Sequence, residues 1–468
     1  MLPADASQAA YNVALPVKNL IKRPPVLIAP HATVAEAAAV MQNARIGSVL
    51  VSADPLGIVT DRDLRGRVLA AGLTPDTLLS RVMTQPVKTL DSDAPVIAAL
   101  LLMLEQNIHH LPLVEEGRVI GVISGSDLLQ HQARSPIYLR RTLDHLNDPL
   151  EVRHYAREIT ITAQTLFQGG IGAVQIDQIV SSLNDALVMR LVGLAEKSLG
   201  PPPAPFAWIV FGSEGRLEQT LLTDQDNALI HGTDSVGAQS YFAALAQRVV
   251  DGLIQVGFPP CPGGYMATNW HKPLHDWQHL FTSWVRTPEP KALLDAAIFF
   301  DFRPVAGTLS LAPLEEILVQ AGKEKLFVTH MAETALQLRP PLGFFNRIRN
   351  DRGMVDLKLG GIGPIVALAR LGALATGSRE RSTLDRLVAA ASGAIIRQED
   401  AMLLSETFEF LLHLRLRRQL AALQAHERLD HKVHLIALTT LERRHLKEAF
   451  VSIRQIQADL RARLHLDS

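Results

Sequence analysis

Between Ala207 and Gly232 the chain reads AWIVFGSEGRLEQTLLTDQDNALIHG, and this stretch holds the residues best suited to chemistry. Asp224 and Asp226 are two residues apart. On an extended chain such positions share a side, so both carboxylates project together. Like charges that close repel unless a cation lies between them. Hard oxygen donors on one edge suit Mg²⁺, which takes its remaining ligands from water and from substrate phosphates. Twelve residues before Asp224, Gly212 allows a close backbone approach to phosphate, and Ser213 adds N–H and hydroxyl donors. Arg216 and Glu218 follow at once. The parts are those of phosphoryl or nucleotidyl transfer.

Those residues need a rigid frame. The continuous apolar run Trp208–Phe211 reads as a buried strand. Gly212-Ser213 then turns it into a short polar helix expected to carry Arg216, Glu218 and Gln219. Asn227–Ile230 reads as a second strand, with Asp224 and Asp226 on its leading edge.

Gly-Ser followed about a dozen residues later by Asp-x-Asp resembles the nucleotidyltransferase superfamily of the DNA polymerase β type. The longer string GSEGRLEQTLLTDQDNALI resembles the nucleotidyltransferase family that carries tandem CBS domains, related to protein-PII uridylyltransferase. The resemblance implies Gly212 and Ser213 on an NTP triphosphate, Asp224 and Asp226 on metal, and Arg216 and Glu218 as supporting catalytic residues. Many superfamily members use a third carboxylate from a later strand. The next expected strand, near Gly263–Thr268, has no acid, and Asp301 is the remaining candidate, in a segment, Pro290–Phe302, that reads as helix.

The first third of the chain is an internal repeat. PVLIAPHATVAEAAAVMQNARIGSVLVSADPLGIVTDRDL from Pro25 matches PVKTLDSDAPVIAALLLMLEQNIHHLPLVEEGRVIGVISGSDL from Pro86. Each copy gives an extended run, an amphipathic helix, two strands and an Asp-initiated helix. The offset between copies grows from 61 to 64 residues, which places a longer turn, GluGluGlyArg, in the second copy. This resembles a tandem pair of CBS domains. The resemblance implies adenine-nucleotide binding in the clefts, with Thr60 and Ser124 near phosphate and Asp63 and Asp127 on ribose hydroxyls. An Asp at a helix start also caps free N–H groups with no ligand at all.

The fold class expected is α+β multidomain: a tandem CBS pair over 18–132 (18–73 and 78–132), a DNA polymerase β-type nucleotidyltransferase α/β domain over 145–305, and an all-helical substrate-binding domain over 312–465. Apolar positions at helical spacing run through Ile176, Ile179, Val180, Leu183, Leu187, Leu191 and Leu194, until Gly200-Pro201-Pro202-Pro203 stops the helix. Trp270, Trp277 and Trp284, seven apart, read as one core stripe. His275 and His279, four apart on the same helix, lack a visible third metal ligand. In the C-terminal region, Asp356–Val366 resembles the DLK-x-G-G segment beside the uridylyltransferase catalytic domain. Lys358, Arg347, Arg349 and Arg352 could contact phosphate or an acidic acceptor, or could be a solvated face. Phe408–Leu420 reads as an apolar helix flanked by Arg415, Arg417 and Arg418.

The 468 residues, 47% apolar and 20% charged, suffice for several packed cores. Lys and Arg number 46 against 47 Asp and Glu, a balance that argues against a dedicated nucleic-acid or membrane binder. The lone Cys261 excludes an internal disulfide and cysteine-based metal sites. No run of about 18 uninterrupted apolar residues suggests a membrane span, and the N-terminus is a poor signal peptide, so a soluble cytoplasmic protein is expected. The expected activity is transfer of a nucleoside monophosphate from an NTP to a hydroxyl, in a signalling role. The resemblance suggests a PII-like protein as acceptor, adenine nucleotides as effectors and a homodimer formed through the CBS domains. The alternative is a non-catalytic adenylate sensor that keeps the nucleotidyltransferase fold as a binding platform.

Overall fold

The structure, a computed structural model, describes residues 16–129, 136–221, 225–233, 235–425, 427 and 429–464. The chain divides into two compact units. One is residues 1–140 with 168–171, the other 141–167 with 172–468.

The first unit holds the two repeats, each built on a three-stranded sheet. In the first, β1 (Leu27–Ile28) pairs parallel with β2 (Ser48–Val51), which pairs antiparallel with β3 (Gly57–Thr60). In the second, β4 (Leu90–Asp91), β5 (His110–Glu115) and β6 (Arg118–Ser124) repeat that order. The Val34–Ala44 helix starts on a capping box, Thr33 with Glu36. It buries Ala37 and Met41 against Val49, Val51 and Val59. The copies are interlaced through their flanks: the Val17 N–H donates to Ala94 O at 2.8 Å, beside the second sheet. The turns run opposite to the sequence expectation. The second copy's strands have six and seven residues and join through Glu116-Gly117 alone, both at positive φ, while the first copy's four-residue strands are joined by residues 52–56. The extra residues lengthen the ladder because Gly117 permits a two-residue turn matched to strand twist.

The second unit is organised on a four-stranded sheet of order β10-β7-β8-β9: β7 (Phe206–Val210), β8 (Asn227–His231), β9 (His271–Pro273) and β10 (Arg303–Gly307). The central strands β7 and β8 are antiparallel and buried at every residue, which is why β7 reads as an unbroken apolar run and β8 keeps an apolar centre, Ala228–Ile230. The Ala173–Leu199 helix buries Ile176, Ile179, Val180, Leu183, Leu187 and Leu191 and ends on Gly200 at φ 87°. The strand expected near Gly263–Thr268 is instead a turn, with Gly264 at φ 72°; Tyr265 O accepts the Asn227 N–H of β8 at 3.1 Å, but the regular ladder with β8 covers only His271–Pro273. The helix expected over Pro290–Phe302 stops at Phe299, and Arg303 opens β10. Trp277 and Trp284 are buried, with Phe299 ring centroids at 5.3 and 5.5 Å, so the tryptophan stripe is core.

The rest of this unit is helical: Lys325–Gln337, Gly363–Thr376, Thr383–Ser392, Gln398–Gln424 and Thr440–Arg463. A small antiparallel ladder of β11 (Met354–Asp356) and β12 (Lys432–His434) lies among the helices, and the Leu357 N–H donating to His431 O at 2.9 Å brings His431 near Lys358. One stretch, Lys358–Thr376, is long and apolar enough to cross a membrane, contrary to the sequence reading. It is 78% buried inside the fold and is a core helix here.

Candidate nucleotide site

The site begins where β7 ends. Phe211 is extended, and Gly212 takes φ 60°, a region L side chains rarely adopt. A Cβ on Gly212 would come within 3.2 Å of Asp226 Oδ2, and the Phe211 N–H donates to Asp226 O at 3.2 Å. The Gly-Ser turn and Asp226 are therefore in direct contact. Asp224 lies outside the described residues. At Gly215 a Cβ would fall 2.0 Å from Asp301 O, so only glycine lets the two segments touch. The helix covers only Gly212–Gly215, shorter than expected. Leu217 at φ 59° reverses the chain, so Arg216 and Glu218 lie after the helix and turn toward each other, Nε to Oε2 2.7 Å.

Glu214 is a site residue that the sequence reading passed over. Its buried carboxylate accepts the Asp226 N–H, and burial, with Asp185 and Asp226 close by, pushes it well above the usual carboxylate range. Arg303 partly offsets that charge: it grips Asp185 with two bonds of 2.7 and 2.9 Å and donates to Glu214 O at 3.2 Å. The Cys261 thiol, raised by burial, also bonds Asp226. A cation at Asp226 would relieve this crowding of negative charge, though among the described residues no three His, Cys, Asp or Glu side chains converge on one metal position.

Asp301 has a different role from the third carboxylate considered above. It is fully buried and held by Arg370 (2.6 Å), Arg386 (2.6 Å) and Arg216. Burial would raise it, but the three guanidiniums hold it well below the usual range. All its oxygen capacity is spent on arginines, and it ties the sheet to the helices. Glu218 does the same from the other side, accepting the Thr383 N–H at 2.6 Å. Arg216 and Glu218 thus form the wall of the site through a structural network.

Beside the Gly-Ser turn lies a cavity of about 390 Å³. Gly212, Ser213, Arg216, Glu218 and Asp226 form one side. Lys358, Arg370, Arg415, Gln419 and His431, with Phe408 and Leu412, form the other. Arg415 donates to Thr220, while its Nε, Gln419 Oε1 and His431 Nδ1 find no hydrogen-bond partner among the described residues. Burial, with Arg415 and Lys358 nearby, lowers His431 to about 4, so it is neutral at pH 7. Asp177 lies buried near Arg415, its two oxygens without a hydrogen-bond partner among the described residues, and burial raises it well above the usual range. Arg415 and Gln419 were legible only as helical periodicity: they sit seven and eleven residues after buried Phe408, on the inward face. Arg417 and Arg418 instead pair with Glu442 and Glu427, and Arg347, Arg349 and Arg352 are exposed and do not line the cavity.

In the first unit, Asp63 and Asp127 use one design. Asp63 Oδ2 accepts the Thr60 N–H (2.9 Å) and hydroxyl (2.7 Å), while Oδ1 faces Arg67 at 3.2 Å. Asp127 Oδ2 accepts the same groups of Ser124 at 2.7 and 2.6 Å, while Oδ1 faces Lys22 at 2.7 Å. Each acid completes a reciprocal capping pair with the hydroxyl residue three positions before it, and each Oδ1 is shared with a cation at the surface.

Three family profiles match the chain. "Putative nucleotidyltransferase DUF294" covers residues 157–291, "Putative nucleotidyltransferase substrate binding domain" covers 325–464, and the CBS domain covers 17–70 and 79–134. Among curated proteins, the chain is 36% identical over 119 residues to the uncharacterized protein MK0525 of Methanopyrus kandleri. That match covers 24% of this chain and 61% of that protein. It is 39% identical over 125 residues to the CBS domain-containing protein CBSCBSPB3 of Arabidopsis thaliana, covering 26% of this chain and 22% of that one. The matches thus span less than two thirds of these relatives. A solved structure, the CBS domain protein PAE2072 from Pyrobaculum aerophilum complexed with AMP, is 30% identical with a TM-score of 0.24, covering 25% of this chain and 94% of that one. With tandem CBS domains, the nucleotidyltransferase domain and its substrate-binding partner in order along one polypeptide, the chain belongs to the CBS-domain-containing "putative nucleotidyltransferase" family.

Proposed function

We propose that the protein transfers a nucleoside monophosphate from an NTP to a hydroxyl acceptor. The observation that carries this reading is the cavity in which the Gly-Ser turn and Asp226 face Lys358, Arg415, Gln419 and His431. Backbone N–H groups at Gly212 and Ser213, with the Ser213 hydroxyl, bind triphosphate oxygens. Lys358 and Arg415 add positive charge from the opposite wall. Asp226, with Asp224 two residues before it, would hold Mg²⁺. When bound, the ion supplies charge neutralisation at the phosphates. The acceptor oxygen bonds to the α-phosphorus, the bond to the bridging oxygen of the β-phosphate breaks, pyrophosphate leaves, and the hydroxyl proton passes to solvent. Apolar side chains of Phe408, Leu412 and Val366 between these polar groups limit water and strengthen the charge interactions.

In this reading the acceptor is a regulatory protein of the PII type, adenine nucleotides bind the CBS clefts as effectors, the CBS pair forms a homodimer, and the protein works in the reducing cytoplasm, where a single buried thiol stays free. A second reading, a non-catalytic adenylate sensor, draws on Asp301, whose carboxylate is committed to three arginines and is lost as a catalytic group.

The test is incubation with each α-labelled NTP, Mg²⁺ and cell extract. Labelling of an acceptor that disappears in Asp226→Asn, with the variant folded and at least as heat-stable as the parent without Mg²⁺, supports transfer. Full labelling by the variant sinks it. Mg²⁺-dependent NTP binding without any labelling favours the sensor.

A further inference from the structure

The most exposed aromatic residues of the second unit are adjacent. Phe344 and Phe345 are 86% and 92% exposed. Scattered surface apolar residues need no account, but two neighbouring phenylalanines at a loop tip do. The loop is well tied. Leu342 bridges Ile348, the Gly343 N–H donates to Arg347 O at 2.8 Å, and the Arg349 N–H donates to Pro341 O at 2.7 Å. Arg454 anchors the Asn346 side chain. Phe345 and Asn346 both take left-handed φ, 55° and 56°. For a bulky residue that conformation is a true outlier, held only when the surroundings over-determine it. The backbone therefore fixes two aromatic rings outward at a cost in strain, with no burial in return.

Charge and place complete the picture. Between residues 341 and 352 the chain carries Arg347, Arg349 and Arg352 against the single carboxylate Asp351. The base of the loop lies on the catalytic unit: Pro341 is packed so tightly on Gly360 that a Cβ there would be 2.7 Å from Pro341 Cδ. Gly360 belongs to the Lys358–Ile362 turn, and both ends of that turn line the cavity, as does Leu338 just before the loop. Leu359, on the same turn, is 66% exposed.

We propose that this loop docks the acceptor, a polypeptide with an acidic face bearing apolar side chains. The inference rests on the transfer reading above and adds the class of acceptor. The rings supply rigid apolar anchors of the kind that dominate interfaces, and the arginines give charge complementarity and steer encounter. A bilayer fits less well. The Thr440–Arg463 helix beside the loop buries its apolar face inside the fold, and two rings alone give shallow insertion.

The test uses the full-length protein without NTP and a fluorescent random copolymer of glutamate and tyrosine as the acidic, aromatic probe. The parent should bind it in a salt-dependent manner. Phe344→Ser with Phe345→Ser should weaken binding at least about tenfold. Arg347→Ser with Arg349→Ser should weaken it and flatten the salt dependence. Both double variants should melt with the parent and keep its NTP affinity, because neither pair lines the cavity. The proposal is overturned if the parent does not bind the copolymer or if the phenylalanine variant binds equally well. It is also overturned if the parent prefers phosphatidylglycerol vesicles, or if the phenylalanines prove to hold two copies of the chain together in sedimentation. Loss of NTP binding by the parent would instead count against the transfer reading, leaving the copolymer result to stand on its own.

Discussion

Asp301 and His431 show how one environment gives two residues opposite tasks. Asp301 is a buried anion among three cations, and removing its charge strands Arg370 and Arg386 in the interior. Asp301→Asn should therefore destabilise the protein by about 3–5 kcal/mol, read by denaturant titration at pH 7. Arg216, which keeps Glu218, should matter less. The acid limb of stability reports both residues. The native His431 value of about 4 lies below its ordinary 6.5, so between these values the unfolded chain binds a proton that the native state refuses. Its contribution is complete above pH 6.5 and is lost as pH falls toward 4. Asp301 is depressed, so its contribution is lost only below about pH 4. His431→Asn should flatten the upper window and leave the lower one. An unchanged slope between pH 6.5 and 4 would show that His431 titrates normally in the folded protein.

At the scale of elements, the repeated caps are the sharpest case. Thr60 with Asp63 and Ser124 with Asp127 satisfy helix N-termini without a ligand, and Arg67 and Lys22 take the remaining oxygens. Capping alone predicts that Asp63→Ala or Asp127→Ala costs roughly 0.5–2 kcal/mol and leaves ligand affinity untouched. Nucleotide binding predicts an added loss of AMP, ADP or ATP affinity at the altered copy, because the acceptor for the ribose hydroxyls is gone. Calorimetric titration of each variant separates the two, and we expect the affinity to fall. Parent protein that takes up none of the three nucleotides would leave these acids as caps.

At the scale of the whole molecule, the CBS repeat has its own buried core, from Val34 through Val82 in the first copy, and the sheet, the cavity and the C-terminal helices lie within the second unit. Removing residues 1–132 should leave a soluble protein that keeps Mg²⁺-dependent affinity for a non-adenine NTP. It should lose any change in that affinity on adding AMP or ATP, since an effector acts only through a site that prefers one of two states. An equal adenylate response in both forms would move the effector into the cavity itself.

The sequence alone determined the repeat, the buried strands β7 and β8 and the Gly-Ser to Asp-x-Asp spacing, because each is a local pattern: a period, an apolar run, a short interval. It also carried the helical character of the C-terminal region, where apolar residues recur at helical spacing. It misread features that depend on partners far along the chain. The second copy's turn was placed wrongly because residue counts do not say whether extra residues lengthen a loop or a ladder. Asp301 stood as an open carboxylate until the fold brought Arg370 and Arg386 to it from 69 and 85 residues away. Glu214 looked like any helix-turn acid until Asp185 and Asp226 closed around it. The far wall of the cavity, with Arg415, Gln419 and His431, exists only because the helices pack against the sheet. Charge, burial and pairing are properties of neighbours in space, and tertiary structure alone chose those neighbours.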